Sequence, residues 1–185
     1  NNNLEKITIP DSVTNIGNAA FSGTAWYENQ PDGTVSISKN AFCGYLGLTK
    51  VTIPSSLKKI GEYAFGSCSS LRDITFSNGL TDIGDKAFYD CYGLTDITLP
   101  ESVTSIGNNA FEGCSRLKNI VIPDNVIIIG DAAFCNCENL SEITIPNNIT
   151  NIGKEAFLGT AWYNNQSDGM VFAGKVLYGY KGVMP

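Results

Sequence analysis

Apolar residues recur along this chain on a fixed period. Leu48, Leu71, Leu94, Leu117 and Leu140 open successive stretches, each step being 23 residues. In the stretch that opens at Leu94, Ile97 and Leu99 alternate with polar residues, as in a half-buried strand. Pro100 ends that strand, because proline has no N–H to give to a ladder. Val103 and Ile106 form a second short apolar segment, Gly107 follows, and Ala110-Phe111 are predicted to sit in a short helical turn. The place of Gly107 is also held by Gly17, Gly61, Gly84, Gly130 and Gly153. A recurring glycine predicts either a positive φ or a close backbone approach at a corner. Phe21, Phe42, Phe65, Phe88, Phe111, Phe134 and Phe157 share another place. A period in the twenties predicts a solenoid with one coil per repeat, and stacking turns the phenylalanine column into an aromatic spine. A single coil cannot bury its apolar face alone, so several must stack and the ends need caps.

The period breaks twice. The first copy begins at Leu4 and runs into Gly23-Thr-Ala-Trp-Tyr-Glu-Asn-Gln-Pro-Asp-Gly33. The last runs into Gly159-Thr-Ala-Trp-Tyr-Asn-Asn-Gln-Ser-Asp-Gly169, matching the first block at nine of eleven places. The expected organisation is one solenoid over 1–185. It comprises a first coil at 1–27, a short degenerate coil at 28–47, five regular coils at 48–158, and a Trp-Tyr block with a hairpin at 159–185. Met170 to Tyr178 predict that β-hairpin, turning at Ala173-Gly174. Trp26 and Trp162 either cover an open end of the stack or stand in solvent as binding anchors, and the cap is the favoured reading because both blocks lie where the period stops.

The pattern Leu-x-x-Ile-x-Ile-Pro-x-x-Val-x-x-Ile-Gly-x-x-Ala-Phe-x-x-Cys resembles the BspA-like, Treponema-type leucine-rich repeats of bacterial surface proteins. The resemblance covers essentially the whole chain and includes seven Ala-Phe pairs in register. It implies an α/β-type repeat solenoid, a right-handed leucine-rich-repeat superhelix of short parallel strands and loops. It also implies a cell-surface or secreted setting and adhesion to host extracellular-matrix or serum proteins. Phe76 and Ser77 depart from the usual Ile-Pro, and no Asn ladder of the commoner leucine-rich repeats is expected.

Composition narrows the classes. The formal net charge is −6, which argues against nucleic acid, where a basic footprint is expected. No apolar run approaches the roughly 20 residues of a membrane span. The chain starts inside a coil at Asn1, reads as a mature fragment, and its lack of a leader says nothing of secretion. There are six cysteines and no histidine. Cys68, Cys91, Cys114 and Cys137 share a place that Thr24 and Thr160 fill elsewhere, which predicts a small buried side chain and free thiols. Cys135-Asn136-Cys137 has no second cysteine pair or histidine nearby, so no zinc site is expected. Asp32-Gly33 and Asp168-Gly169 are turn dipeptides without the alternating oxygen ligands of a calcium loop. No cofactor is expected.

The outward places of the first strand form columns. One holds Thr8, Thr52, Thr75, Thr98, Val121 and Thr144; beside it run Lys6, Lys50, Asp73, Asp96, Asn119 and Glu142, and then Glu5, Thr49, Arg72, Thr95, Lys118 and Ser141. They are expected to make one continuous sheet face. That face is either a solvated surface with Thr chosen for strand propensity, or a concave partner-binding surface. Asp73 and Asp96, one coil apart, have the spacing of a retaining glycosidase pair, but an open face offers nothing to raise one pKa, so no enzyme is expected. Val121, Ile127 and Ile128 place apolar residues where other coils have polar ones, a candidate contact with the hairpin or another chain. The expected function is protein binding through the sheet face; the alternatives are a structural stalk and, remotely, a polysaccharide-active enzyme.

Overall fold

A computed structural model describes residues 6–10, 12–13, 15–17, 36–37 and 39–182. The expectations for Leu4, Phe21 and the block at 23–33 fall outside the described residues.

Each regular coil contributes two short parallel strands, one to each of two faces. On the first face lie β1 (Lys6–Thr8), β4 (Lys50–Ile53), β6 (Asp73–Phe76), β8 (Asp96–Thr98), β10 (Asn119–Val121) and β12 (Glu142–Thr144). The second face carries β2 (Asn15–Ile16), β3 (Ser36–Ile37), β5 (Lys59–Ile60), β7 (Asp82–Ile83), β9 (Ser105–Ile106), β11 (Ile128–Ile129) and β13 (Asn151–Ile152). These last make one seven-stranded parallel sheet in the order β13-β11-β9-β7-β5-β3-β2. Every partner pair is in repeat register, as in Asp82↔Ser105 and Ile83↔Ile106. Residues 36–37 add a strand to the second face, whereas on the first face β1 pairs directly with β4, Lys6 opposite Lys50. The short segment between the first and the regular coils is therefore a wedge, present on one face only.

The first face runs on along the stack with β6 and β8 side by side, but its hydrogen-bond ladder is interrupted between them, where the columns led to the expectation of one sheet. Its strands form two three-stranded sheets, β1-β4-β6 and β8-β10-β12. Two features of the sequence meet at the break. Asp73 and Asp96 occupy the same column there, and like charges directly opposite weaken a strand pair, although Lys6 and Lys50 oppose each other in that column with β1 and β4 still paired. Phe76, in the place of an isoleucine, turns against the Phe88 ring edge-on, with centroids 6.1 Å apart at 84°.

A third set of hydrogen bonds runs along the corner that was expected to be helical. Phe42, Phe65, Phe88, Phe111 and Phe134 each donate their N–H to the alanine carbonyl of the next coil at 2.7–2.8 Å. The residues two places to either side do the same: Lys86 donates to Asn108 and Asp90 to Glu112, both at 2.8 Å. To aim alternate amides along the stack, those flanking residues take a left-handed backbone. Tyr63, Lys86, Asn109, Ala132 and Glu155 have φ between 51° and 58°, and so do Ser67, Asp90 and Asn136. The corner is a ladder rather than a helical turn, and its left-handed residues are mostly not glycine. The recurring glycine just before them serves the other purpose foreseen for it. Gly153 is not among the positive-φ residues, and a Cβ there would lie 2.3 Å from the backbone nitrogen of Asp131 in the preceding coil.

A side-chain ladder of mixed Asp and Asn, not the Asn ladder of the commoner leucine-rich repeats, also runs along the stack. Asp85 Oδ1 accepts from the Asn108 N–H at 2.7 Å, Asn108 Oδ1 from Asp131 at 2.8 Å, and Asp131 Oδ1 from Lys154 at 2.8 Å. The ladder sits directly after the glycine and mixes Asp with Asn, so no constant residue type marks it in the sequence.

Inside, the phenylalanine spine is continuous over the described coils. From Phe42 to Phe157 successive rings lie 4.8–5.7 Å apart and within 7° of parallel. All are fully buried. The thiols beside them are free and do more than fill space. Cys68, Cys91, Cys114 and Cys137 donate to the carbonyls of Phe42, Phe65, Phe88 and Phe111, one coil back, at 3.0–3.3 Å. Thr160, in the same place, donates to the Phe157 carbonyl at 2.7 Å. The exchange of Cys with Thr thus preserves both size and a donor. Burial pushes Cys68 up to about 12 and also raises Cys91, Cys114 and Cys137.

Two outcomes follow. Phe111→Ala removes a ring held between two others and is expected to cost about 3–5 kcal/mol, read as a lower denaturation midpoint; a loss under about 1 kcal/mol would contradict a stacked spine. Alkylation at pH 8 is expected to modify half-exposed Cys43 first, because thiolate and access control the rate. The four column cysteines should gain mass only after denaturation.

Candidate functional site

Strand alternation places the first-face columns outward. Lys50, Arg72, Asp73, Thr75, Asp96, Thr98, Lys118, Val121, Glu142 and Thr144 are exposed, and Thr52 is half-buried. Thr8 pairs with Thr52 along the same column. Register brings the groups together in two sets. In one, Lys50 opposes Asp73 and Thr52 opposes Thr75, with Lys50 Nζ 3.8 Å from Asp73 Oδ2. In the other, Asn119 lies between Asp96 and Glu142, and Val121 between Thr98 and Thr144. Asn119 Nδ2 donates to Asp96 Oδ1 at 3.2 Å. Arg72 and Lys118 stand just before their strands, their N–H groups bonded to Thr49 and Thr95 of the coil before. The first set is mixed in charge and the second predominantly acidic, with the break between them. Asp73 and Asp96 are both exposed and belong to different sheets, so no apolar wall surrounds either carboxyl as acid catalysis would need.

Val121, Ile127 and Ile128 are 58%, 46% and 41% exposed. The hairpin does not cover them; its tip instead lies against the fifth regular coil, where a Cβ on Gly174 would meet the Pro146 carbonyl at 3.0 Å.

The second Trp-Tyr block closes the stack. Thr160 caps the one-turn helix α1 (Ala161–Asn164), its hydroxyl accepting from the Tyr163 N–H at 3.0 Å. The Trp162 N–H donates to the Leu140 carbonyl at 2.7 Å. Its ring meets the last spine ring, Phe157, at 5.2 Å and 63°. The hairpin of β14 (Gly169–Ala173) and β15 (Val176–Lys181) supplies the second lid. Ala173 pairs with Val176, so the tip is Gly174-Lys175, one residue beyond the expected turn, with Gly174 at φ 61°. Tyr178 packs edge-on against Phe157 at 5.3 Å. Its hydroxyl accepts the Phe157 N–H at 2.8 Å, the role that the next coil's alanine carbonyl plays for Phe42, Phe65, Phe88, Phe111 and Phe134. Burial pushes Tyr178 up to about 12. The geometry is that of a cap. The hydroxyl contact of Tyr178 was missed in the sequence, where Tyr178 and Tyr180 both stand in the second hairpin strand and nothing marks which one meets the spine.

No group of residues able to hold a metal ion occurs among the described residues. No described helix is long and apolar enough to cross a membrane.

The profile of the BspA type leucine-rich repeat region matches residues 1–114 and 35–163, with six copies. No curated protein matches the chain. Among solved structures, a T. pallidum leucine-rich repeat protein is 26% identical over 88% of this chain and 78% of its own, with a TM-score of 0.58. A leucine-rich repeat protein from Eubacterium ventriosum gives a TM-score of 0.67 at 26% identity, over 84% of this chain and 43% of its own. A leucine-rich cell surface protein from Faecalibacterium prausnitzii gives 0.52 at 29% identity, over 85% and 45%. The chain matches less than half the length of these last two.

Tyr178→Phe keeps the ring and deletes the acceptor. It is expected to cost about 1–3 kcal/mol, the penalty of a buried N–H left unsatisfied, whereas Trp162→Ala should cost about 3 kcal/mol or more through the opened spine end. Denaturant melts check both, and quenching of Trp162 fluorescence by soluble quenchers should be weak in the folded chain.

Proposed function

The chain belongs to the family of BspA-type leucine-rich repeat proteins, and we propose that it is a non-enzymatic protein-binding segment of a bacterial cell-surface or secreted protein. It binds a partner through the first sheet face. The observation that carries this reading is the outward double column: in-register strands hold Thr, Lys, Asp and Glu at fixed spacing, exposed, while the opposite side chains of the same strands fill the core. Repeat solenoids use such extended faces for recognition. The fit is to a protein surface, with host extracellular-matrix or serum proteins as the partner class that the family resemblance implies. Val121, flanked by Thr98 and Thr144, gives the acidic half an apolar centre of the kind that interface cores favour. Ile127 and Ile128 are a secondary contact for the same partner or another.

The competing reading is a stalk that spaces other domains. The two differ in what they require of the outward side chains. Thr98→Lys with Glu142→Lys reverses charge in the acidic half without touching the core, and surface changes of this kind leave stability within about 0.5 kcal/mol. On an array of matrix and serum proteins, the wild-type chain should retain at least one, and the double variant should weaken that binding about tenfold or more. A chain that binds nothing, or binds equally well as the variant, is a stalk.

A further inference from the structure

A second cluster, half-buried apart from exposed Tyr92, lies on the corner ladder, away from the strands of the sheet face. Tyr63 and Tyr89 meet edge-on with centroids 6.0 Å apart. The Lys86 ammonium stands 5.1 Å from the centre of the Tyr63 ring and 6.0 Å from that of Tyr89. Tyr92, 47% exposed, lies within hydrogen-bonding reach of Asp90. Asp90 and Glu112 both act electrostatically on Tyr89, and Asn109 Nδ2 holds Glu112 Oε2 at 2.5 Å. The ion pairs among the described residues are Lys39–Glu62, Lys50–Asp73 and Lys59–Asp82, so neither Asp90 nor Glu112 spends its charge on one.

We infer that this cluster is a docking site for a basic, arginine- or lysine-bearing segment of a partner protein, held by the tyrosine rings and by Asp90 and Glu112. The protein itself demonstrates the chemistry: one ammonium, that of Lys86, already rests between two of the rings. The next place along the stack is open in the same way. Tyr89 and Tyr92 offer ring surface there beside Asp90 and Glu112, and Lys86, which also acts on Glu112, is the one cation at these groups among the described residues. Cations over aromatic faces are attracted by the ring quadrupole, and arginine more often than lysine, since its planar group also stacks. The net charge of −6 adds long-range attraction for the same partner. The charged and amide groups beside the rings, Lys86, Asp90, Asn109 and Glu112, favour a cationic segment over an apolar one. This site is independent of the sheet-face reading and does not fail with it.

The probe is a fluorescent twelve-residue peptide alternating Arg with Gly and Ser, titrated with the whole chain at 50 mM and 300 mM salt. Binding should be measurable at low salt and weaker at high salt. Tyr89→Ala with Tyr92→Ala should weaken it about tenfold, and so should Asp90→Asn with Glu112→Gln; Asn tolerates the left-handed backbone of position 90, and Gln keeps the bond from Asn109. Lys86→Ala should tighten binding twofold or more by removing the internal competitor. Alanine already stands in that place at Ala132, so the fold accepts it. As a control, Asp96→Asn with Glu142→Gln on the sheet face should leave affinity within twofold. Absent binding at 50 mM salt overturns the inference. So does an equal loss in the control, which would mean diffuse attraction to net charge, or displacement of the peptide by a neutral oligosaccharide, which would make the rings a sugar platform.

Discussion

A coil of this solenoid depends on its neighbours to satisfy much of its backbone. The corner amides donate forward to the next coil, as Phe88 does to Ala110, and both strands pair sideways. A coil's own turns supply the rest. Other features follow from this dependence. The left-handed residues cost about 1–2 kcal/mol each relative to an ordinary backbone, and a hydrogen bond returns about 1 kcal/mol net, so the corner is roughly neutral by itself. Its stabilisation must come from what the ladder holds in place: rings stacked 4.8–5.7 Å apart and fully dry. Ladder and spine are therefore one unit, and an open end exposes both at once. The C-terminal cap answers both needs, Trp162 and the Tyr178 ring covering Phe157 while the Tyr178 hydroxyl takes its amide.

How much of this could be read from the chain follows from which terms have a residue-type signature. The period, the strand pair per coil, the spine and the hairpin were legible because burial is selective: only Phe fills the spine place, and Ile, Val or Leu fill the inward strand places with Phe76 as the exception. The corner ladder was not legible, because it is built from backbone amides that any residue carries. Tyr63, Lys86, Asn109, Ala132 and Glu155 share one backbone conformation and no chemistry. The Asp85-Asn108-Asp131 ladder was hidden for a milder reason, since Asp and Asn both offer the accepting oxygen. The split in the first sheet was visible as Phe76 and as Asp73 beside Asp96, but its consequence depended on how those side chains pack across coils.

The two faces answer differently to the irregular segment before residue 48. The second face accommodates β3 and continues as one sheet, while the first face skips it, joining β1 to β4. Among the described strands the second face thus carries seven and the first face six.

The same backbone dependence explains why this architecture can carry two unrelated surfaces. Outward strand places make no contribution to the ladder or the spine, so Thr98, Val121 and Thr144 share one column without disturbing the core. Corner places contribute only their amides, so their side chains are equally unconstrained: the position of Tyr63 is Lys86 one coil later and Ala132 two coils beyond that. A tyrosine cluster at that corner is thus not required by the fold. In a globular core an aromatic cluster is usually explained by packing. Here packing is already fulfilled by Phe65, Phe88 and Phe111 beneath it, and the tyrosines above stand where the chain could equally have placed serine or lysine. That freedom makes the side chains on both surfaces informative about partners rather than about stability.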